Sequence, residues 1–398
     1  MRQVSLDYWT SLGEETSNKL HSNIPPGGWF PALQDLSWCM TELNVLYIDL
    51  FLSPHLRRIS ISAAWSWINT GVPPAILPTL VSIISTLPTP SLERISVDTN
   101  HGTMPWAHFK DSFSSVILRC GPSFTEYDSL VPLSNAAMDH LIHLPHLHTW
   151  RINVPPPPYP TSSLPLVFPP LRELTLEKGA ACGWFSLLRR LEDDASTTQG
   201  VTPLSKVKKF LTVLDVGDMS SFNIDPSSVS TIQRFRNLVD LNVDVHCPDE
   251  DEKGQCIFKL NNDNVTELAM ALIQPEYLYL GNPCSKNTCL TTVACLLPIS
   301  NHCSKLKELG IHFNTTNIVD DFRNILEDPQ FQQLRSLQRS PLTWMDVYRT
   351  PLRLDESDLE IVAKGMVDIF PSLESFERHE QDWDKLSAKI ADFQETSE

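Results

Sequence analysis

Four cysteines and a histidine lie within twenty residues of one another and have the residue types of a metal site. They are Cys284, Cys289, Cys295, Cys303 and His302. A structural zinc site uses paired ligands with short, turn-compatible spacing. The gaps between these cysteines are four, five and seven residues. The spacing therefore favours buried thiols over zinc, and we predict neither a metal nor another cofactor.

Four histidines form a second candidate cluster in the stretch HLIHLPHLHTW. His140 and His143 would share one face of a helix, whereas His146 and His148 flank the apolar residue Leu147. The two pairs are expected to point to different surfaces. The sequence therefore favours ordinary surface or hydrogen-bonded histidines over metal ligands.

Sequence motifs of catalysis are absent from the chain. It contains no GxSxG, GxxxxGK[ST] or HExxH motif and no EF-hand loop. The stretch HEQDW at 379–383 lacks the second histidine of a zinc-protease motif. We therefore predict that the protein is not an enzyme.

Charge and composition restrict the partners and the compartment. The 398 residues carry a formal net charge of −17, which repels phosphate backbones, so nucleic acid is not a predicted partner. Nine cysteines without a CxxC pair, and no signal-peptide pattern, favour a reducing compartment, cytoplasmic or nuclear. No apolar run reaches the roughly 18 residues of a membrane span, so no membrane partner is predicted.

A short apolar pattern recurs along the chain. It predicts the strands and helices that would position the residues described above. In CSKLKELGI the pattern is apolar-x-x-apolar-x-apolar, and its copies start roughly 23 to 40 residues apart, a spacing typical of repeat proteins. The copies are LQDLSW, LRRISI, LERISV, FTEYDS, LHTWRI, LRELTL, LTVLDV, LVDLNV, PEYLYL, LKELGI, LTWMDV and LESFER.

Each copy predicts a strand followed by a helix. The last residues of a copy alternate apolar and polar as a short strand does. The following segments have helical periodicity, as in NVTELAMALI, for which Asn264 is the expected N-cap. One such unit buries three or four aliphatic side chains, worth roughly 6–10 kcal/mol, which is less than the chain entropy of ordering it. The units must therefore stack, with their strands parallel in one sheet and helices outside.

The predicted fold class is thus α/β, a leucine-rich-repeat solenoid with a concave parallel sheet, convex helices and about twelve irregular rungs. Residues 1–29 are predicted to be an N-terminal flank or cap. Residues 30–380 form the predicted solenoid as one elongated domain. Residues 381–398 contain an amphipathic helix with Trp383, Leu386, Ile390 and Phe393 on one side, and this helix is expected to cap the last rung.

The CxxLxxLxI pattern of Cys303 to Ile311 resembles the cysteine-containing kind of leucine-rich repeat. The region from NVTELAMALI to NTTNIVDDF is similar to the repeats of the fungal F-box/leucine-rich-repeat family, and PLRLDESDLEIVAKGMVDIFPSLESF resembles its last repeat. This resemblance implies a repeat region that holds a protein target for ubiquitin ligation. The family docks on a ligase adaptor through an F-box of about forty to fifty residues. Residues 1–29 lack its Leu-Pro-type motif, so adaptor binding is expected only with an F-box upstream.

The outward positions of the predicted strands give a candidate binding surface. Its acidic middle includes Glu173, Asp215 and Asp240, which favours a partner with a basic segment. Large aromatic side chains follow on later strands, and such residues are enriched at interface hot spots. The predicted protein-binding residues are Tyr277, Tyr279, His312, Trp344, Asp346 and Tyr348.

Three alternatives stay open at this stage. Loops that fold over the rings would make the aromatic residues structural. The chain could be an interaction scaffold without a ubiquitin link. It could also regulate an enzyme such as a small GTPase, as some leucine-rich-repeat proteins do.

Overall fold

The chain divides into two compact units, each of which alternates strands and helices. Unit 1 comprises residues 1–174 and 193–207, and unit 2 comprises residues 175–192 and 208–398. The division falls inside the predicted repeat domain, whose boundaries at residues 29 and 380 stay predictions. The computed structural model describes residues 3–5, 19, 23, 30–40, 45, 48–63, 77–97, 106–129, 131–153, 171–177, 213–217, 226–244, 259–281, 289–329, 331, 340–348, 350–377 and 381–395.

Within each unit, the described strands are parallel and each pairs with the next strand along the chain. This arrangement confirms the predicted α/β class. The strands of unit 1 are β1 (Gln3–Ser5), β2 (Asp35–Met40), β3 (Arg58–Ala63), β4 (Arg94–Val97), β5 (Glu126–Ser129) and β6 (Thr149–Asn153). Strand β7 (Glu173–Glu177) spans the division between the units. The strands of unit 2 are β8 (Val213–Gly217), β9 (Asp240–Asp244), β10 (Tyr277–Gly281), β11 (Glu308–Ile311), β12 (Trp344–Asp346) and β13 (Ser375–Glu377).

Along the chain, each of the described helices named here follows a strand, and several helices that are neighbours in the sequence pack on one another. Those of unit 1 are α1 (Leu77–Ser85), α2 (Lys110–Arg119) and α3 (Asn135–Ile142). Those of unit 2 are α4 (Pro226–Ile232), α5 (Asn262–Ala271), α6 (Leu296–His302), α7 (Ile318–Glu327), α8 (Glu356–Ile369) and α9 (Gln381–Glu395).

A repeated backbone contact sets the register at the start of the strands. In unit 2 the carbonyl oxygen of Glu276 accepts hydrogen bonds from the backbone N–H groups of Lys307 (2.8 Å) and Glu308 (3.2 Å). Because each such strand starts at the same point relative to its neighbour, outward side chains form straight rows across the sheet. Carbonyl oxygens that make the same pair of contacts belong to Gln34, Arg57, Glu93, Thr125 and His148 in unit 1 and to Val239, Lys307 and Thr343 in unit 2.

The core of each unit contains the inward strand residues and the apolar faces of the helices. In β10, Leu278 and Leu280 are buried, whereas Tyr277 and Tyr279 are partly exposed. The predicted apolar residues of α5, such as Leu268, are also buried. Each fully buried leucine of this kind stabilises its unit by roughly 1.5–3 kcal/mol.

The N-terminus of α5 differs from the predicted one. Asn264 is not the N-cap, because the helix begins three residues earlier than expected. The Asn261 side chain accepts a hydrogen bond from the Asn264 N–H (2.9 Å), and the Asn264 side chain accepts one from the Asn261 N–H (3.2 Å). This reciprocal pair satisfies two otherwise unpaired donors of the first turn.

The C-terminal helix α9 packs against the core of unit 2. Trp383 is fully buried and its ring centroid lies 6.1 Å from that of Phe313 and 5.4 Å from that of Phe376. The Trp383 Nε1–H donates to the carbonyl oxygen of Thr350 at 2.8 Å. The helix therefore covers apolar side chains of the last strands that water would otherwise contact.

Candidate functional site

The outward rows of β9 to β12 bring most of the predicted binding residues together in unit 2. In the first row, Tyr277 pairs with Asp240 on one side and with Glu308 on the other, and Glu308 pairs with Trp344. Carboxylates and aromatic rings thus alternate across neighbouring strands, which lie about 4.8 Å apart. The second row runs through Asn242, Tyr279, Gly310 and Asp346.

Two aromatic rings of these rows and the ring of Tyr348, which follows β12, lie close together. The ring centroids of Tyr279 and Trp344 are 6.1 Å apart with an interplanar angle of 59°. A Cβ atom built on Gly310 would lie 2.4 Å from Cδ1 of Tyr279 and 2.7 Å from the hydroxyl of Tyr348. Both tyrosine rings therefore lie over the backbone of Gly310. These rings and the acidic residues next to them form a surface that we call the aromatic–acidic face. Its residues are Asp240, Tyr277, Tyr279, Glu308, Trp344, Asp346 and Tyr348.

Two glycines make room for the Tyr348 ring. A Cβ atom on Gly281 would lie 1.7 Å from Cε2 of Tyr348, so the ring occupies the space that a side chain there would take. Tyr348 itself has a φ of 51°, a left-handed conformation that is uncommon outside glycine. Its N–H donates to Oδ1 of Asp346 at 2.6 Å, a contact that holds the turn after β12. The turn directs the ring back over the sheet.

Negative charge surrounds Tyr279 on this face. Its hydroxyl donates to Oε2 of Glu308. Partial burial, the hydrogen bond to Glu308, and the charges of Glu308, Asp240 and Asp346 together raise the pKa of Tyr279 above its ordinary value. Burial and the nearby Glu308 charge also raise the pKa of Asp240. Among the described residues, the charged groups that act on Tyr279 and Asp240 are therefore all acidic.

The structure places five of the six predicted binding residues on the outward side of the sheet, where they are partly exposed: Tyr277, Tyr279, Trp344, Asp346 and Tyr348. The assignment of His312 to this surface is wrong. Strand β11 ends at Ile311, so the in–out alternation stops, and His312 is fully buried. The His312 Nδ1 atom lies 2.9 Å from Oγ1 of Thr350 in the interior.

The sequence prediction missed the two glycines that shape the site. Gly281 and Gly310 carry no side chain that marks them as functional. The signal available in the sequence was a glycine at an outward or terminal strand position, where it weakens a strand and often indicates close approach of another group. Here the approaching group is the ring of Tyr348.

The described members of the cysteine cluster do not share one environment with His302. Cys289, Cys295 and Cys303 are buried, His302 is exposed on the surface, and Cys284 lies outside the described residues. Among the described residues, no group of three or more histidine, cysteine or acidic side chains is arranged to hold a metal ion. Buried thiols were the favoured interpretation of the spacing, and the three described cysteines have that environment.

Burial also predicts that these thiols react slowly. It raises the pKa of the Cys303 thiol to about 12 and that of Cys120 to about 12, so the reactive thiolate is scarce near neutral pH. We expect iodoacetamide to leave Cys303 and Cys120 unmodified in the folded protein and to modify both in urea, as measured by peptide mass spectrometry. Rapid modification of Cys303 without denaturant would contradict the buried position. Cys39, which is partly exposed, is an internal reference for accessible thiols.

The four histidines have separate surroundings. The His140 Nε2 atom lies 3.0 Å from the carbonyl oxygen of Cys120, and the His148 Nδ1 atom lies 3.1 Å from Oγ1 of Thr149. The His143 Nδ1 atom lies 2.5 Å from the carbonyl oxygen of Asp139, and His146 is exposed.

In the described part of the chain, no helix has both the length and the apolar character needed to cross a membrane.

Comparisons with known proteins give a distant structural similarity. No protein-family model matches the sequence, and no curated protein matches it. The crystal structure of a protein from Bacteroides fragilis is similar over 81% of this chain and 76% of that chain, with 13% sequence identity and a TM-score of 0.33. A similarity at this level carries no argument about function.

The charge of the aromatic–acidic face should lower the stability of unit 2. Because the pKa of Asp240 is raised in the folded protein, the folded state holds this proton more tightly than the unfolded chain. Protonated Asp240 therefore stabilises the folded state. This stabilisation is fully present below the pKa of Asp240 in the unfolded chain and is lost as pH rises through its pKa in the folded protein. We therefore expect Asp240→Asn to raise the urea midpoint of unit 2 at neutral pH, with little difference from wild type in acid.

The control for this prediction is Asp35→Asn. The Asp35 carboxylate accepts two hydrogen bonds from Arg58, from Nε at 2.5 Å and from Nη2 at 2.8 Å, so its neutralisation should not stabilise unit 1. A lower midpoint for Asp240→Asn at neutral pH would show that the Asp240 charge stabilises unit 2 and would contradict the expected increase.

Proposed function

We propose that the chain is a leucine-rich-repeat solenoid that recognises another protein through the aromatic–acidic face. Support for the solenoid comes from the positions of the strands. A described strand lies at each copy of the apolar pattern, and within each unit every described strand pairs with its neighbour in the chain. The proposed role is binding, without catalysis.

The observation that carries the proposal is the arrangement of three rings on the outward side of the sheet: Tyr279 lies beside Trp344, and Tyr279 and Tyr348 both lie over Gly310. The three rings remain partly exposed although they are held in place by one another and by the sheet below. Tyrosine and tryptophan contribute most to binding when they form fixed clusters of this kind. Rings that neither fill the core nor lie freely in solvent are well suited to contact a partner.

The resemblance to the fungal F-box/leucine-rich-repeat family supports a more specific role. By that resemblance the chain would be the target-binding part of a ubiquitin-ligase subunit. Contact with the ligase adaptor would then come from an F-box in an upstream segment. The support for a role in ubiquitin ligation is the resemblance of the repeat pattern to that family.

The test compares protein capture from a fungal lysate by the wild type and by two variants. One variant carries Tyr277→Ala, Tyr279→Ala, Trp344→Ala and Tyr348→Ala on the aromatic–acidic face. The control carries Ser60→Ala and Arg94→Ala on the outward rows of unit 1. We expect the wild type and the control to capture the same proteins, and the aromatic variant to lose a specific one, as quantified by mass spectrometry.

Both variants must first show the circular dichroism and urea midpoint of a folded chain. If the folded aromatic variant captures the same proteins in the same amounts as the wild type, the face is not the recognition site. A captured ligase adaptor or ubiquitinated target would support the more specific role. A reproducible loss of partners that have no connection with ubiquitin would favour a scaffold.

A further inference from the structure

We propose that the aromatic–acidic face binds a cationic side chain, lysine or arginine, on a segment of the partner protein. This inference rests on the proposed recognition function and specifies the chemistry of the partner. Four observations support it: the charges of the face, their contrast with unit 1, the geometry of the rings, and the partial burial of the carboxylates.

Two carboxylates of the face, Asp240 and Glu308, have no basic partner among the described residues. Glu308 accepts a hydrogen bond from the neutral hydroxyl of Tyr279. In the part of the chain that the structure describes, no lysine, arginine or histidine forms an ion pair with Asp240 or Glu308. The charged groups that act on Tyr279 and Asp240 are all acidic. A cation from outside would reduce their mutual repulsion.

Unit 1 shows how the same architecture pairs its charges internally. On its outward rows, Arg58 lies 2.5 Å from Asp35 and Arg94 lies 3.2 Å from Glu126. The next pair, Arg151 and Asp128, is 3.5 Å apart. Three outward carboxylates of unit 1, on β2 and β5, thus each have an arginine on an adjacent strand. Asp240 and Glu308 have tyrosine and tryptophan in the corresponding places.

The aromatic rings on either side of Glu308 favour a cation at this carboxylate. Glu308 lies in its row between Tyr277 and Trp344, each one strand away. A lysine or arginine head group at Glu308 would meet a carboxylate and the electron-rich faces of aromatic rings together, and tryptophan gives the strongest cation–π attraction. A neutral apolar side chain would gain the ring contacts and leave the carboxylates unpaired.

Burial adds to this preference. Asp240 and Glu308 are both partly buried, and burial together with the Glu308 charge raises the pKa of Asp240. Water screens such charges less than it screens fully exposed ones. A cation from the partner would therefore offset the repulsion between these two carboxylates.

The experiment measures retention of degenerate peptides on the immobilised full chain. Matched pools differ at one fixed central residue, which is lysine, arginine, norleucine, citrulline or glutamate. Norleucine and citrulline keep the approximate shape of lysine and arginine without their charge. The proteins compared are the wild type, Glu308→Gln, Trp344→Ala and, as a control for lost surface carboxylates, Asp35→Asn.

We expect the wild type to retain the lysine and arginine pools above the three others. Retention of these two pools should fall by about tenfold in Glu308→Gln, the loss of roughly one charge-assisted contact, and should weaken with added salt. Trp344→Ala should lose retention to a similar extent, whereas Asp35→Asn should behave as the wild type.

The outcomes separate this inference from the proposed function. The norleucine or glutamate pool could be retained as strongly as the lysine pool, with retention that is lost in Trp344→Ala. That result would support recognition by the aromatic–acidic face and would overturn the preference for a cation. Retention that is unchanged in Trp344→Ala would overturn both. Absence of retention in all pools would overturn the cationic segment, and the lysate comparison would then judge the face alone.

Discussion

Replacing Trp383 by alanine is expected to destabilise unit 2 by about 3–5 kcal/mol, the range found for tryptophan and phenylalanine truncation in cores. The side chain is fully buried against Phe313 and Phe376. Its loss leaves a cavity and removes the hydrogen bond to the carbonyl oxygen of Thr350. Hydrogen exchange of α8, α9 and β13 is the suitable measurement, because it reports the local stability of the elements that Trp383 holds together.

Two further variants identify the cause of this loss. Phe393 lies on the same helix and is only partly buried, so Phe393→Ala should cost much less. Trp383→Phe keeps an aromatic ring and removes the donor, and it should have an intermediate effect. Protection of α8 and β13 that equals the wild type in Trp383→Ala would show that α9 does not close this end of the core.

Replacing Gly281 by alanine is expected to reduce partner binding by at least about tenfold while the fold persists. The added Cβ would lie 1.7 Å from Cε2 of Tyr348, so the tyrosine ring must leave its place on the sheet. The ring is the movable end of a partly exposed side chain, and we expect the free energy of unfolding to change by less than about 1 kcal/mol. Binding of the captured partner and the urea midpoint are the two measurements.

A matched glycine is available in unit 1. A Cβ atom on Gly121 would have the carbonyl oxygen of Pro90 at 3.6 Å, an ordinary contact, so Gly121→Ala should change neither binding nor folding appreciably. Tyr348→Ala alone should reduce binding as Gly281→Ala does, since both remove the ring from the site. Full binding by Gly281→Ala would mean that the ring position is not part of recognition.

Much of the strand arrangement could be predicted from the sequence because its physical cause is local. The second and third apolar residues of each pattern copy, such as Leu309 and Ile311, must face the core, and this fixes the phase of the strand. The apolar face of α5 followed from helical period in the same way. Its N-cap did not, because Asn261 and Asn264 are the same residue type at three-residue spacing and either could begin a helix.

The binding site was predictable as far as the alternation of the strands extends. Tyr277, Tyr279, Trp344 and Asp346 lie outward because they alternate with buried residues of β10 and β12. The prediction that His312 lies on this surface was wrong because β11 ends one residue before it. The apolar pattern alone does not show where the strand ends. The place of the Tyr348 ring depends on contacts with β10 and β11, which are distant in the sequence.

The pairing of each strand with its neighbour in the chain also affects how a unit folds. Every pairing between β8 and β13 closes a segment of similar length, so the entropy of loop closure is paid in small, nearly equal steps. No described pairing in this part of the unit spans more than one strand–helix segment, so folding avoids the slower search that strands farther apart in the sequence would require. A duplicated strand–helix segment would add its own contacts and would lengthen none of the existing closures. Growth by duplication is therefore open to such a chain at little kinetic cost.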